Sequence, residues 1–144
     1  MKPSPELVLN QSFAKIAMEM GPALPAGYGQ GSATLTGVLL LMVGQEFGRA
    51  ASVRLKENQA MRALFGECAA QHGGALGKAL KDAAGQGDPD ITVAALDASN
   101  GALKKTLIEL HTAAEATGDR ALEQRILGLL KEWADARTVY LPAM

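Results

Sequence analysis

From Gly29 to Phe65 the chain reads GQGSATLTGVLLLMVGQEFGRAASVRLKENQAMRALF, without a single proline. A run of this kind admits one long helix and little else. Ser32 is placed to cap its start, and Gly73 and Gly74 stand where a left-handed C-terminal cap belongs, so the spacing predicts a helix over 32–72. At 1.5 Å per residue such a helix is about 60 Å long, with Gly44 and Gly48 as the points where it would bend. Its first turns are apolar on every side: Leu35, Val38, Leu39, Leu40, Leu41, Met42 and Val43 cover nearly the whole circumference. A membrane span needs roughly 20 consecutive apolar residues, and Gly44, Gln45 and Glu46 end the run at about half that. A helix apolar all round must instead be covered all round. Three companion helices, two of them short, leave one side open, and a second copy of the chain is expected to close it. The expectation is a homodimer through Leu35–Val43.

The companions follow from caps and stripes. Ser4, Pro5 and Glu6 open a first helix over 5–20, in which Leu9, Phe13, Ile16 and Met20 share a face. A Gly/Pro-rich loop follows. Asp88 as cap and Pro89 at the first position predict a helix over 89–117, with Leu96, Leu103, Leu107, Leu110 and Ala114 on one stripe. Gly118 ends it and Asp119 caps the last helix, 119–140, in the manner of an αα-hairpin. That helix carries Leu122, Ile126, Leu129, Trp133, Ala136 and Tyr140, and Pro142 closes it. Residues 73–88 read as a flexible linker holding at most a weak helix. Aromatics make up 4% of the residues and no segment alternates apolar and polar, which excludes a sheet-based fold. The expected fold is all-α: one domain over 1–144, an up-and-down antiparallel four-helix bundle with one long central helix.

Charge narrows the function. Lys plus Arg number 14 and Asp plus Glu 15, and neither half of the chain is basic enough for nucleic-acid binding. Cys68 stands alone, which excludes an internal disulfide and fits a reducing compartment. The N-terminus lacks the apolar core of a secretory signal, so a cytoplasmic location is expected, with no nucleic-acid or membrane partner.

The polar residues of the long helix are the most informative. Positions eleven apart lie within about 20° on an α-helix, which puts Leu35, Glu46, Glu57 and Cys68 on one line. That line falls inside an apolar sector, so Glu46 and Glu57 are expected to face inward, with Arg54 at the sector's edge. Asn100 and His111, also eleven apart, border the leucine stripe of the third helix. These five, with Ser32 at the Gly loop, are the candidate ligand-binding residues. Two readings compete for them: a salt-bridge layer fixing helix register, and a polar pocket holding a small molecule.

Catalytic and metal motifs are absent. Carboxylate-bridged di-iron bundles require Glu-x-x-His pairs, which neither His72 nor His111 provides. Cys68 and His72 would supply two zinc ligands without an evident third and fourth. No Gly-x-Ser-x-Gly, Walker or dinucleotide fingerprint occurs. No cofactor or metal is expected, and no catalytic residue is identified. Gly29, Gly31 and Ser32, followed by an Ala/Thr/Leu/Gly/Val-rich helix, resemble the Gly-Gly-Gly-Ser segment and apolar helix of folate cyclodeaminases. The resemblance spans about twenty of the 144 residues, is offset by one position and lacks the second glycine. It implies an α-helical dimer. The functional expectation is a homodimeric binding or assembly module; the alternative is a small enzyme or ligand-binding protein with a polar site between helices.

Overall fold

The computed structural model describes residues 2–141, and these are helical almost throughout, with no strand among them. Helix α1 (Pro5–Phe13) continues as a π-helical stretch, Ala14–Met20, and a final turn, Gly21–Ala23. The long helix α2 (Tyr28–Cys68) runs into a 3-10 turn, Ala69–Gln71. Then come α3 (Gly74–Gly85), α4 (Val93–Thr117) and α5 (Arg120–Ala136). The chain divides into two compact units, one formed by Met1–Ala50 with Val139–Met144 and the other by Ala51–Thr138. Pro142, read from the sequence as closing the last helix, lies outside the described residues.

In the first unit, Ser4 caps α1 as its sequence predicts, its Oγ accepting from the Leu7 amide at 3.3 Å. The π stretch and α1 then lie against the opening half of α2, and glycines make room for them. A Cβ on Gly37 would sit 2.6 Å from that of Ala17, and one on Gly44 would meet Asn10 Oδ1 at 2.9 Å and Leu9 Cβ at 3.1 Å. One on Gly48 would meet a Glu6 carboxylate oxygen at 2.9 Å. Gly37, Leu41, Gly44 and Gly48 recur at four, three and four, one continuous groove along α2. Gly44 and Gly48, expected to bend the helix, serve close packing within it. The C-terminal segment docks on the same unit: Gln45 Nε2 donates to the Tyr140 carbonyl at 2.7 Å, and the Tyr140 amide returns a bond to Gln45 Oε1 at 3.0 Å.

The second unit has an apolar core. Met61, Leu64, Phe65 and Cys68 from α2 meet Leu80 from α3, Leu103, Leu107, Leu110 and Ala114 from α4, and Leu122, Ile126 and Trp133 from α5. The α4 stripe is the one its sequence spacing predicts. Gly118 takes φ +70°, a left-handed conformation that favours glycine, and Asp119 Oδ1 accepts from the Leu122 amide at 3.1 Å, which makes the turn of the α4–α5 hairpin.

Four boundaries differ from the sequence reading. Helix α5 ends at Ala136 and not at 140, so Tyr140, expected on its apolar stripe, lies beyond the helix and is 69% exposed. Helix α2 begins at Tyr28, four residues ahead of the Ser32 cap, because Gly29 and Gly31 are carried inside the helix. Residues read as flexible linker contain α3, whose Leu80 is fully buried. Its Gly77 is packed so closely that a Cβ would fall 1.9 Å from the His72 carbonyl oxygen. Helix α4 begins at Val93, capped by Thr92, since the Asp88 carboxylate that would have capped it is taken by other groups.

Candidate functional site

Two buried polar residues stand side by side in the middle of α2. Glu57 is 1% exposed and Asn58 fully buried, and Asn100 of α4 faces both. Asn100 Nδ2 donates to Glu57 Oε2 at 3.0 Å and to Asn58 Oδ1 at 2.9 Å. Arg137, the C-cap of α5, grips Glu57 with both edges of its fork: Nε to Oε1 at 2.8 Å and Nη2 to Oε2 at 2.9 Å. Lys104, one turn beyond Asn100, brings its ammonium to 3.4 Å from Oε2 and lies 6.0 Å from the centre of the Trp133 ring.

The chain of bonds continues through Asn58. Its Nδ2 donates to Asp88 Oδ1 at 2.9 Å and to the Leu96 carbonyl at 3.2 Å. Arg62, one turn along α2, closes a second bidentate pair on Asp88, both bonds at 2.9 Å. Two carboxylates, two guanidiniums, an ammonium and two amides thus form one connected layer inside the second unit. Carboxylate–arginine forks of this geometry are among the stronger polar contacts available to a protein.

Electrostatics follow the geometry. Burial pushes the Glu57 carboxyl upward, yet the bonds from Arg137 and Asn100, with the charges of Lys104 and Arg137, outweigh it and hold the group below its ordinary value of 4.5. The Arg62 fork does the same for Asp88, against a smaller opposing effect of burial and with help from Asn58 and Ser99, leaving it below its ordinary 3.8. A carboxylate held ionised with both oxygens engaged is poorly suited to take up a proton. The arrangement joins α2, the segment before α4, α4 itself and the end of α5.

The residues singled out in the sequence are partly brought together. Glu57 and Asn100 meet. Arg54 lies nearby on α2, and its Nε donates to Asp97. Glu46 is in the other unit, with its side chain 42% exposed and 3.8 Å from Arg49. Ser32 lies inside α2, where its carbonyl accepts from Thr36 Oγ1 at 2.8 Å; the exposed helix start on which its candidacy rested is not there. His111 is about 16 Å along α4 from Asn100. It faces Glu115 at 3.9 Å, with Glu123 of α5 beside them. Asn58, Asp88, Arg62, Lys104 and Arg137 complete the layer without having been singled out. Arg137 is 80 residues from Glu57 in sequence, and no local spacing joins them. Asn58 adjoins Glu57, and an amide beside an inward carboxylate was the available signal.

A different surface marks the first unit. Opposite its glycine groove, α2 exposes Leu35 (60%), Leu39 (52%), Met42 (41%) and Val43 (56%), with Phe47 (61%) on the groove's flank. Leu41 is buried, and Val38 and Leu40 are half-buried. No helix among the described residues is long and apolar enough to cross a membrane. No protein-family model, curated protein or solved structure matches this chain.

Proposed function

We propose that this chain is an assembly module that pairs with a second copy of itself through the open face of α2. The observation that carries the reading is the row of exposed large side chains at Leu35, Leu39, Met42, Val43 and Phe47. Contiguous apolar surface of this kind marks an interaction site. From Tyr28 to Gln45 no residue is charged, so this stretch offers a partner no charge pattern to complement. A self-complementary surface is what a two-fold pair requires, with the same stripe contributed by both copies. The tight turn of the α4–α5 hairpin supports an up-and-down antiparallel bundle as the architecture.

The polar layer fits a supporting role in this account. Every polar side-chain atom of Glu57, Asn58 and Asn100 named above is engaged, which favours a register-fixing latch over a ligand pocket. The decisive variant is Leu39→Glu combined with Met42→Glu. It is expected to sediment as a monomer with wild-type helical circular dichroism. A doubly substituted protein with the wild-type mass would reject this face as the interface.

A further inference from the structure

We propose that His111, Glu115 and Glu123 form a binding site for a divalent transition-metal ion, with Zn²⁺ as its best-suited occupant. One ligand atom from each lies within 4.8 Å of the other two. The backbone supplies the placement. His111 and Glu115 are one turn apart on α4 and so share a face, the i, i+4 spacing by which helices chelate metals. Glu123 comes from the first turn of α5, and the tight Gly118–Asp119 turn brings that residue back onto α4. Two ligands from one helix and one from the next make a chelate that closes the hairpin.

The state of the imidazole is a second, independent indication. His111 Nε2 is shut off from solvent and has no hydrogen-bond partner. Its nearest acid, Glu115 Oε1, is 3.9 Å away, outside hydrogen-bonding range. A ring nitrogen enclosed and unpartnered forfeits the hydration it would have in water. A metal ion between the three side chains would satisfy it. His111 also lines a pocket of 210 Å³ with Lys104, Leu107, Ile108, Ile126 and Leu130.

Donor chemistry selects the ion. One imidazole nitrogen and two carboxylate oxygens suit zinc and its neighbours, whereas calcium and magnesium take oxygen ligands. Ligand atoms around tetrahedral zinc sit about 3.3 Å apart, from bonds of about 2.0–2.1 Å. Glu115 is 58% exposed and has the room to move. Arg120 holds Glu123 Oε2 at 2.8 Å from a side chain 80% exposed, a cation that the metal displaces or shares. Three protein ligands leave the coordination sphere open to water, the arrangement of reactive rather than purely structural zinc sites.

The test uses Zn²⁺ alone, titrated into the full chain and followed by calorimetry and thermal melting. One ion is expected per chain, with a rise in melting temperature on binding. His111→Gln and Glu123→Gln are each expected to weaken binding by more than the about 10–100-fold that follows loss of an outer-shell partner. His72→Gln and Cys68→Ser, which remove the chain's other imidazole and its one thiol, are expected to leave it unchanged. Melting of each variant without metal guards against misfolding, and Glu115→Gln provides a second, exposed ligand position. Absence of saturable binding, binding that survives His111→Gln, or binding lost in His72→Gln would overturn the assignment. The site lies within one chain and does not depend on self-association.

Discussion

Glu57 concentrates the physics of the second unit in one side chain. Removing it strands the Arg137 fork and leaves the Asn100 amide short of an acceptor. Arg137 is itself 36% exposed and can turn to water, which moderates the loss. Glu57→Ala is therefore expected to cost about 2–4 kcal/mol in chemical denaturation. Glu67→Ala, whose partner Arg125 is 48% exposed, is expected to cost under about 1 kcal/mol. The acid limb of stability has the same origin. The folded-state pKa values of Glu57 and Asp88 lie below their unfolded values of 4.5 and 3.8. The stabilisation is fully present above those values and is lost as pH falls through the lower folded ones. A pH series of urea melts should show wild type losing stability below pH 4.5 and Glu57→Gln losing less. Parallel acid limbs in the two proteins would mean that Glu57 is not held ionised by its partners. At Cys68, burial raises the thiol, with Glu67 and Asp119 adding to the effect and Arg125 opposing it. The native protein should react with thiol reagents far more slowly than the unfolded chain. The inward placement of Glu57 was legible in the sequence because a helix has a fixed period. Its partner was not, since periodicity says which way a side chain points and nothing about what meets it.

Among the elements, α2 shows how glycine acts as a packing residue. In a solvent-exposed helix interior, Gly→Ala stabilises by roughly 0.5–1 kcal/mol. Gly128 of α5 has nothing within 4 Å of a built Cβ, so Gly128→Ala is expected to raise the melting temperature. At Gly37 the added methyl would lie 2.6 Å from Ala17 Cβ and 3.0 Å from its backbone nitrogen, and the sign reverses. Gly77→Ala is expected to be worse, because the atom it meets is the His72 backbone carbonyl. Differential scanning calorimetry of the three variants orders them, and equal shifts at positions 37 and 128 would contradict the groove. The spacing of Gly37, Gly44 and Gly48 is visible in the sequence. Their meaning is not, because a glycine reads alike whether it loosens a helix or admits a neighbour. The same ambiguity hid α3: its glycines suggest a mobile connector, while Leu80, Leu76 and a run of alanines give it one apolar side to bury. The start of α1, the α4 stripe and the α4–α5 turn were legible because Ser4, Gly118 and Asp119 are caps in both sequence and structure and the leucine spacing agrees with them. Where Asp88 was drawn into the polar layer, Thr92 took over the capping of α4.

At the scale of the whole molecule, the question is what covers the apolar side of α2. The sequence shows a helix apolar all round between Leu35 and Val43. The structure separates that circumference into the glycine groove and Leu41, which are covered, and the Leu35, Leu39, Met42 and Val43 side, which is open. Phe47 extends the open side by a further turn. Large exposed apolar side chains on a folded chain either join a partner or invite aggregation. We propose that they join a second copy of the same stripe. Sedimentation equilibrium of the wild-type chain across a wide concentration range tests this most directly. A reversible equilibrium reaching twice the chain mass is the predicted result. A protein that stays at the single-chain mass at every concentration would contradict it.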